Sequence, residues 1–144
     1  RGVAALAGAH TVRLGHTRVT DAGVRALAGA HTVCLEKCEG VSDAGVAALA
    51  GAHTLCLDHC LVTDAGLAVL AGVQCISLAE CAFITDAGLV ALAGARAVCL
   101  DGCMHITNLG VAALAGVHTI DLSGCTRITD TAVRALAGAH NVTL

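Results

Sequence analysis

The stretch Ile84–His105, ITDAGLVALAGARAVCLDGCMH, decides how the whole chain reads. At its centre Val98-Cys99-Leu100 alternates with a period of two, so Val98 and Leu100 share one face of a short strand and Cys99 takes the other. Its first half opens on Thr85-Asp86, a helix-start signature. A Thr or Asp oxygen there accepts a hydrogen bond from an orphan backbone N–H, and the carboxylate complements the positive helix end. Leu89 and Leu92 follow at i and i+3, facing a core. Gly94 closes the segment and reads as a left-handed cap, where a Cβ would clash. With about eight residues between start and stop, two turns of α- or 3₁₀-helix are predicted, held by neighbours rather than by propensity.

The same unit recurs along the chain. Glycines of the Leu-Ala-Gly type stand at Gly8, Gly29, Gly51, Gly72, Gly94, Gly116 and Gly138, with Val-Leu-Ala-Gly at Gly72, at intervals of 21 or 22. A second column runs Gly2, Gly23, Gly45, Gly66, Gly88 and Gly110 and breaks only at Ala132. Asp21, Asp43, Asp64, Asp86, Asn108 and Asp130 keep the beat, as do the apolar pairs from Val12/Leu14 to Val142/Leu144. A fixed period in the low twenties is the signature of a solenoid. Residues 1–144 therefore read as a single array of about 6.5 repeats, without a second domain or linker. Arg1-Gly2 falls inside a helix segment and Leu144 on a strand, with no polar capping unit, so an excerpt of a longer array, or ends covered by partners, is expected.

Composition then becomes legible. The 144 residues are 56% hydrophobic and 13% charged, with mean hydropathy +0.80, yet hold one Phe, one Met and no Trp, Tyr or Pro. Ala, Val and Leu supply the core; a charge-rich disordered chain is excluded. Thr, Asp, His and Gly interrupt every long apolar window, so no membrane span is expected. A net charge of −3 gives no basic footprint for nucleic acid.

The run Leu-x-Leu-x-x-Cys-x-x-Ile-Thr-Asp-x-Gly-Leu, nearly complete at Leu122–Val133 and Val98–Leu109, resembles leucine-rich repeats across the whole chain. More narrowly it is similar to the cysteine-containing subfamily of F-box/LRR ubiquitin-ligase receptors. That resemblance implies a right-handed α/β solenoid with a parallel strand ladder on the concave face and short helices on the convex face; the brevity of the helical segment suggests shallow curvature. It also implies buried turn cysteines at Cys38, Cys60, Cys81, Cys103 and Cys125, with Thr17 in place of the first, and protein binding on the concave sheet. The repeat here is several residues shorter than the family's, and no F-box lies within these residues.

Side chains alternating with the core pair face outward on the strands. The central column is Arg13, Cys34, Cys56, Ser77, Cys99, Asp121 and Thr143. Beyond it lie Glu36, Asp58 and Asp101, then His16, Lys37, His59 and Glu80. Of the 11 acids, five start helices, and five of the other six gather here (Glu36, Asp58, Glu80, Asp101, Asp121), making the face mildly acidic. Arg13, Glu36, Lys37, Asp58, His59, Glu80, Asp101 and Asp121 are therefore the candidate partner-binding residues, for a protein partner with exposed Lys or Arg. The same positions also suit a merely solvated face.

Other chemistry fits less well. Cys34-x3-Cys38, Cys56-x3-Cys60 and Cys99-x3-Cys103 span a strand, pointing one thiol out and one in, so they cannot easily share a tetrahedral ion; neither metal nor cofactor is expected. An odd count of 9 Cys, phased with the fold, argues against disulfides and for an intracellular, reducing compartment such as the cytoplasm. His10, His31, His53, His118 and His140 line the turns before the strands; they read as turn residues whose rings bond loop carbonyls, with a pH switch as the alternative. No phosphate loop, H-E-x-x-H or oriented Cys/His pair occurs, so no enzyme is expected. A non-catalytic interaction scaffold is the leading reading. The alternatives are a structural segment packed through its ends and Ala-rich outer positions (Ala4/Ala5, Ala47/Ala48, Ala112/Ala113), and the substrate-recognition arm of a ubiquitin ligase. Only Phe83, Met104 and a few Arg are of the residue types that usually anchor interfaces.

Overall fold

The computed structural model describes residues 3–6 and 8–144; Arg1, Gly2 and the Ala4 side chain, which entered the repeat reading, lie outside the described residues. Seven three-residue strands, β1 (Thr11–Arg13), β2 (Thr32–Cys34), β3 (Thr54–Cys56), β4 (Cys75–Ser77), β5 (Ala97–Cys99), β6 (Thr119–Asp121) and β7 (Asn141–Thr143), form one parallel sheet in chain order. Their register is unbroken: Val12, Val33, Leu55, Ile76, Val98, Ile120 and Val142 stand in one row. A lone three-residue strand has no stability of its own. Here each inner strand gains two neighbours, and the ladder runs on past the strand ends, as where Lys37 N–H donates to Asp58 O at 2.8 Å.

Short helices join the strands: α1 (Asp21–Val24), α2 (Asp43–Val46), α3 (Asp64–Ala68), α4 (Asp86–Leu89), α5 (Asn108–Ala113) and α6 (Asp130–Ala135). One 3₁₀ turn extends each of α1, α2 and α4, which matches the predicted mixture. Leu89, Leu92, Val98 and Leu100 are all buried in one continuous core, and no polar or charged residue is buried among the described residues. This is an α/β solenoid. The alternation of 21 and 22 residues is absorbed in the loop before each helix: Cys60-Leu61-Val62 is one residue shorter than Cys81-Ala82-Phe83-Ile84. Of the outer alanines, Ala47 and Ala112 are exposed, but Ala48 and Ala113 are half-buried and add less to the outer face than expected.

The helix starts do more than cap. Ser42, Thr63, Thr85, Thr107 and Thr129 each accept from the N–H two residues on, as N-caps do. At four helix starts the aspartate turns instead to the next repeat. Asp21 accepts from Ser42 N–H (2.7 Å) and hydroxyl (2.6 Å), Asp43 from Thr63, Asp64 from Thr85 and Asp86 from Thr107 in the same way. These bonds to Ser42 are the main reason the Asp21 carboxyl lies below its ordinary value.

The glycine expectation fails at Gly94, and the steric demand falls on the other column. A Cβ at Gly94 would meet nothing within 4 Å, and its φ is not positive; in that column Gly8 and Gly29 take positive φ (86° and 89°). The Leu-Ala-Gly-Ala turn closes with the same bond both ways, Ala30 N–H to Leu27 O at 3.0 Å and Ala95 N–H to Leu92 O at 2.9 Å. Ala28 at ψ 127° makes the first a type II turn that needs glycine; Ala93 at ψ −24° makes the second type I, which does not. In the second column Gly45, Gly66, Gly88 and Gly110 are under steric demand, for a Cβ there would land on Oδ1 of the preceding repeat's aspartate. Ala132 breaks that column opposite Asn108, the one non-acid, and there the bond from Thr129 N–H lengthens to 3.0 Å.

Candidate interaction surface

Strand pairing sets the outward columns. Arg13, Cys34, Cys56, Ser77, Cys99, Asp121 and Thr143 pair rung by rung, with Thr11, Thr32, Thr54, Cys75, Ala97, Thr119 and Asn141 alongside. Arg13 is exposed, whereas Cys34, Cys56, Cys99 and Asp121 are half-buried by their neighbours. The Cys56 thiol is pushed well up, first by burial and then by the adjacent Cys34. It donates to Asp58 Oδ2 at 3.5 Å.

The acids of this face differ in how free they are. Asp58 Oδ1 accepts from Ala79 N–H at 2.9 Å, tying its repeat to the next. Asp121 accepts from Ser123 N–H (2.9 Å) and hydroxyl (2.6 Å) within its own turn. Glu36 Oε1 lies 3.3 Å from His16 Nε2, an ion pair only when that ring is protonated. Asp101, half-buried, touches the turn at Gly124, where a Cβ would come within 3.3 Å of its Oδ1. So the backbone places Glu36, Asp58, Asp101 and Asp121 on one face of the sheet, with Asp58 and Asp121 partly engaged.

Lys37, His59 and Glu80 belong to a different feature. With His16 they hold positive φ (54° to 59°), a column continued by Gly102 and Gly124 at 69°. Here the chain leaves the strand through a left-handed residue, which costs a non-glycine about 1–2 kcal/mol. Composition gave no sign of it, since four bulky residues occupy the place; the two glycines that end the column were the available signal.

Cys38, Cys60, Cys81, Cys103 and Cys125 are buried just beyond. Each Sγ–H donates to the carbonyl at the strand end of the preceding repeat: Cys38 to Leu14, Cys60 to Leu35, Cys81 to Leu57, Cys103 to Leu78 and Cys125 to Leu100, at 3.1–3.2 Å. Thr17 in the first repeat donates to its own Leu14 O at 2.6 Å. Burial raises the thiols, Cys60 to about 11 and Cys81 and Cys103 to about 12, which keeps them protonated donors rather than nucleophiles. Among the described residues no group of three or more His, Cys, Asp or Glu is arranged to hold a metal ion.

The histidines depart from expectation. Their rings stack on one another, His10–His31 and His31–His53 at 4.6 Å and His118–His140 at 4.0 Å, instead of bonding loop carbonyls. The backbone supplies those bonds: His10 O accepts from both His31 and Thr32 N–H at 3.0 Å. Successive turns lie one rung apart, about the thickness of stacked rings. Desolvation, then the neighbouring histidines, hold His31 and His118 below the usual imidazole value.

No helix among the described residues is long and apolar enough to cross a membrane. Among curated proteins, none matches the chain. The family model described as Leucine Rich repeat matches residues 10–28, 73–93 and 117–137. Each matched segment takes in one strand and its following helix and stops at the Ala before a Leu-Ala-Gly-type glycine (Ala28, Ala93, Ala137). Repeats of this kind generally mediate protein–protein interaction. Three matches in phase with a seven-strand parallel ladder support reading the chain as leucine-rich repeats stacked in an α/β solenoid.

Proposed function

We propose that the 144 residues act as one array, a non-catalytic scaffold that captures a protein partner on the open, concave strand face. The observation that carries this is the grouping of Glu36, Asp58 and Asp101 in one column just past the strands with Asp121 in the strand column beside it, on the same face as accessible Arg13 and a row of half-buried threonines. Grouped acids favour a partner presenting Lys or Arg, through faster encounter and rejection of acidic competitors. Lys37, His59 and Glu80, exposed at the left-handed turns, extend the surface. The test is capture from lysate with Asp101→Lys, a position with no internal side-chain hydrogen bond to lose. Loss of a specific partner with unchanged circular dichroism supports the reading; unchanged capture sinks it.

Two other readings have one observation each. The exposed Ala47 and Ala112 on the outer face favour packing within a larger assembly, which would show as concentration-dependent mass in light scattering. The repeated thiol-to-carbonyl bond favours the cysteine-containing repeat type, and with it an intracellular substrate-recognition arm of a ubiquitin ligase. Co-purification of ubiquitin-ligase subunits with the full-length protein tests that arm, and their absence counts against it.

A further inference from the structure

The loops leading from strand to helix carry apolar side chains that the fold leaves outside. Leu61, Phe83 and Met104 are 50%, 55% and 50% exposed, and the last two are the sole Phe and Met of the chain. Each follows by one or two residues a buried cysteine, Cys60, Cys81 or Cys103, whose thiol donates to the preceding repeat. Those bonds hold the three loops on successive rungs, so each repeat sets one exposed apolar side chain along the solenoid axis, a ridge in which Met104 stands one position nearer its cysteine than Phe83 does. In the flanking repeats the same loops are polar: Thr17-Arg18, Glu39-Gly40 and Thr126-Arg127.

Negative charge is concentrated over the same repeats. From Glu39 to Ala95 the chain has six acids and no Lys or Arg. Asp58, Glu80 and Asp101 border the ridge on the strand side, and Asp64 and Asp86 on the helix side. An occupant must therefore be apolar along one seam and basic on both sides of it.

Spacing selects its backbone. Rungs of a parallel sheet recur about 4.8 Å apart, close to the ~5.4 Å pitch of an α-helix. A helix laid along the ridge offers one apolar residue per rung at i, i+4 and i+7. An extended strand repeats each face about every 6.7 Å and falls out of step within three rungs. A second copy of this chain is a poor occupant, because its longest described helices have six residues.

We propose that the Leu61–Phe83–Met104 ridge docks a basic amphipathic α-helix of a partner protein, lying parallel to the solenoid axis and apart from the open strand face. The probe is a fluorescent Leu/Lys peptide of about 14 residues, long enough to be marginally helical, with Leu at i, i+4, i+7 and i+11. A control peptide has the same composition with its Leu scrambled around the helix. Anisotropy on the whole chain is expected to show the control, and the Phe83→Ser and Leu61→Ser variants, binding at least about tenfold more weakly. Amide shifts in labelled protein should cluster at the loops of Leu61, Phe83 and Met104. Circular dichroism checks the variants, and Met104→Ser serves if either fails to fold. Equal binding of the scrambled peptide, or unchanged binding to the variants, overturns the proposal. Shifts confined to the Cys34–Cys56–Cys99 column also overturn it while supporting the open face. Self-association of the chain abolished by Phe83→Ser overturns it in favour of a second copy.

Discussion

Replacing Gly88 by Ala and, separately, Gly94 by Ala should move stability in opposite directions, though both lie in one repeat and both are columns of the same pattern. At Gly88 the new Cβ would lie on Asp64 Oδ1, 3.1 Å from its Cγ and 3.0 Å from Leu67 Cδ1. The carboxylate must withdraw, and with it go the bonds from Thr85 N–H (2.8 Å) and hydroxyl (2.6 Å). Bonds to a charged group contribute about 1.5–3 kcal/mol each, and exposure of Thr85 argues for less, so about 2 kcal/mol for the pair. Ala in a helix recovers about 0.5–1 kcal/mol over Gly, leaving a net loss of about 1–1.5 kcal/mol. At Gly94 the space is open and φ is ordinary, so Ala restricts the unfolded chain and stabilises by about 0.4–1 kcal/mol. Urea unfolding followed by far-UV circular dichroism separates the two by their midpoints at constant slope. Asp64→Asn with Gly88→Ala copies the natural Asn108/Ala132 pair and should lose less than the two single changes summed. If Gly88→Ala is as stable as wild type, or Gly94→Ala falls equally, the aspartate's approach is not what the glycine column serves.

Lys37→Gly relieves a left-handed non-glycine at φ 54° and should raise stability by up to about 1 kcal/mol, read as a higher urea midpoint. Ellman's reagent at pH 8 should leave Cys38, Cys60, Cys81, Cys103 and Cys125 unmodified in the native chain and reach all 9 Cys in guanidinium; fast native reaction of any of the five contradicts the thiol ladder. Stability should fall at both ends of the pH range. His31 and His118 are depressed, so below the unfolded value of 6.5 the unfolded chain binds protons first and stability drops as pH falls through that window. The buried thiols are raised, so above the unfolded value of 9.0 the unfolded chain loses protons first and stability drops as pH rises toward 11–12. Urea midpoints at pH 5.5, 7.5 and 9.5 check both signs, and a midpoint that rises on acidification refutes the histidine account.

Much of the fold was legible because its signals are local. Val98 and Leu100 show their strand by alternation, and Leu89 and Leu92 show their helix by an i, i+3 step, whatever surrounds them. The candidate face followed from the same alternation, since Cys99 must point away from Val98. Less of its chemistry was legible. That Asp58 and Asp121 spend hydrogen-bonding capacity on Ala79 and Ser123, and that Lys37, His59 and Glu80 sit in left-handed turns, depends on backbone the pattern does not encode.

The sequence by itself determined the period, the parallel stacking in chain order, the buried row from Val12 to Ile120 and the outward columns, because repetition copies every local preference into register. Only the tertiary structure decided what each recurring polar residue does. Aspartates that read as helix caps bond the next repeat, histidines that read as loop-bonding stack on one another, and thiols donate to carbonyls of the repeat before. Partners such as Asp64 and Thr85 are 21 residues apart along the chain and one rung apart in space. A contact of that kind exists only after the strands have paired, which is why the glycine that makes room for it could not be told from the one that merely turns the chain.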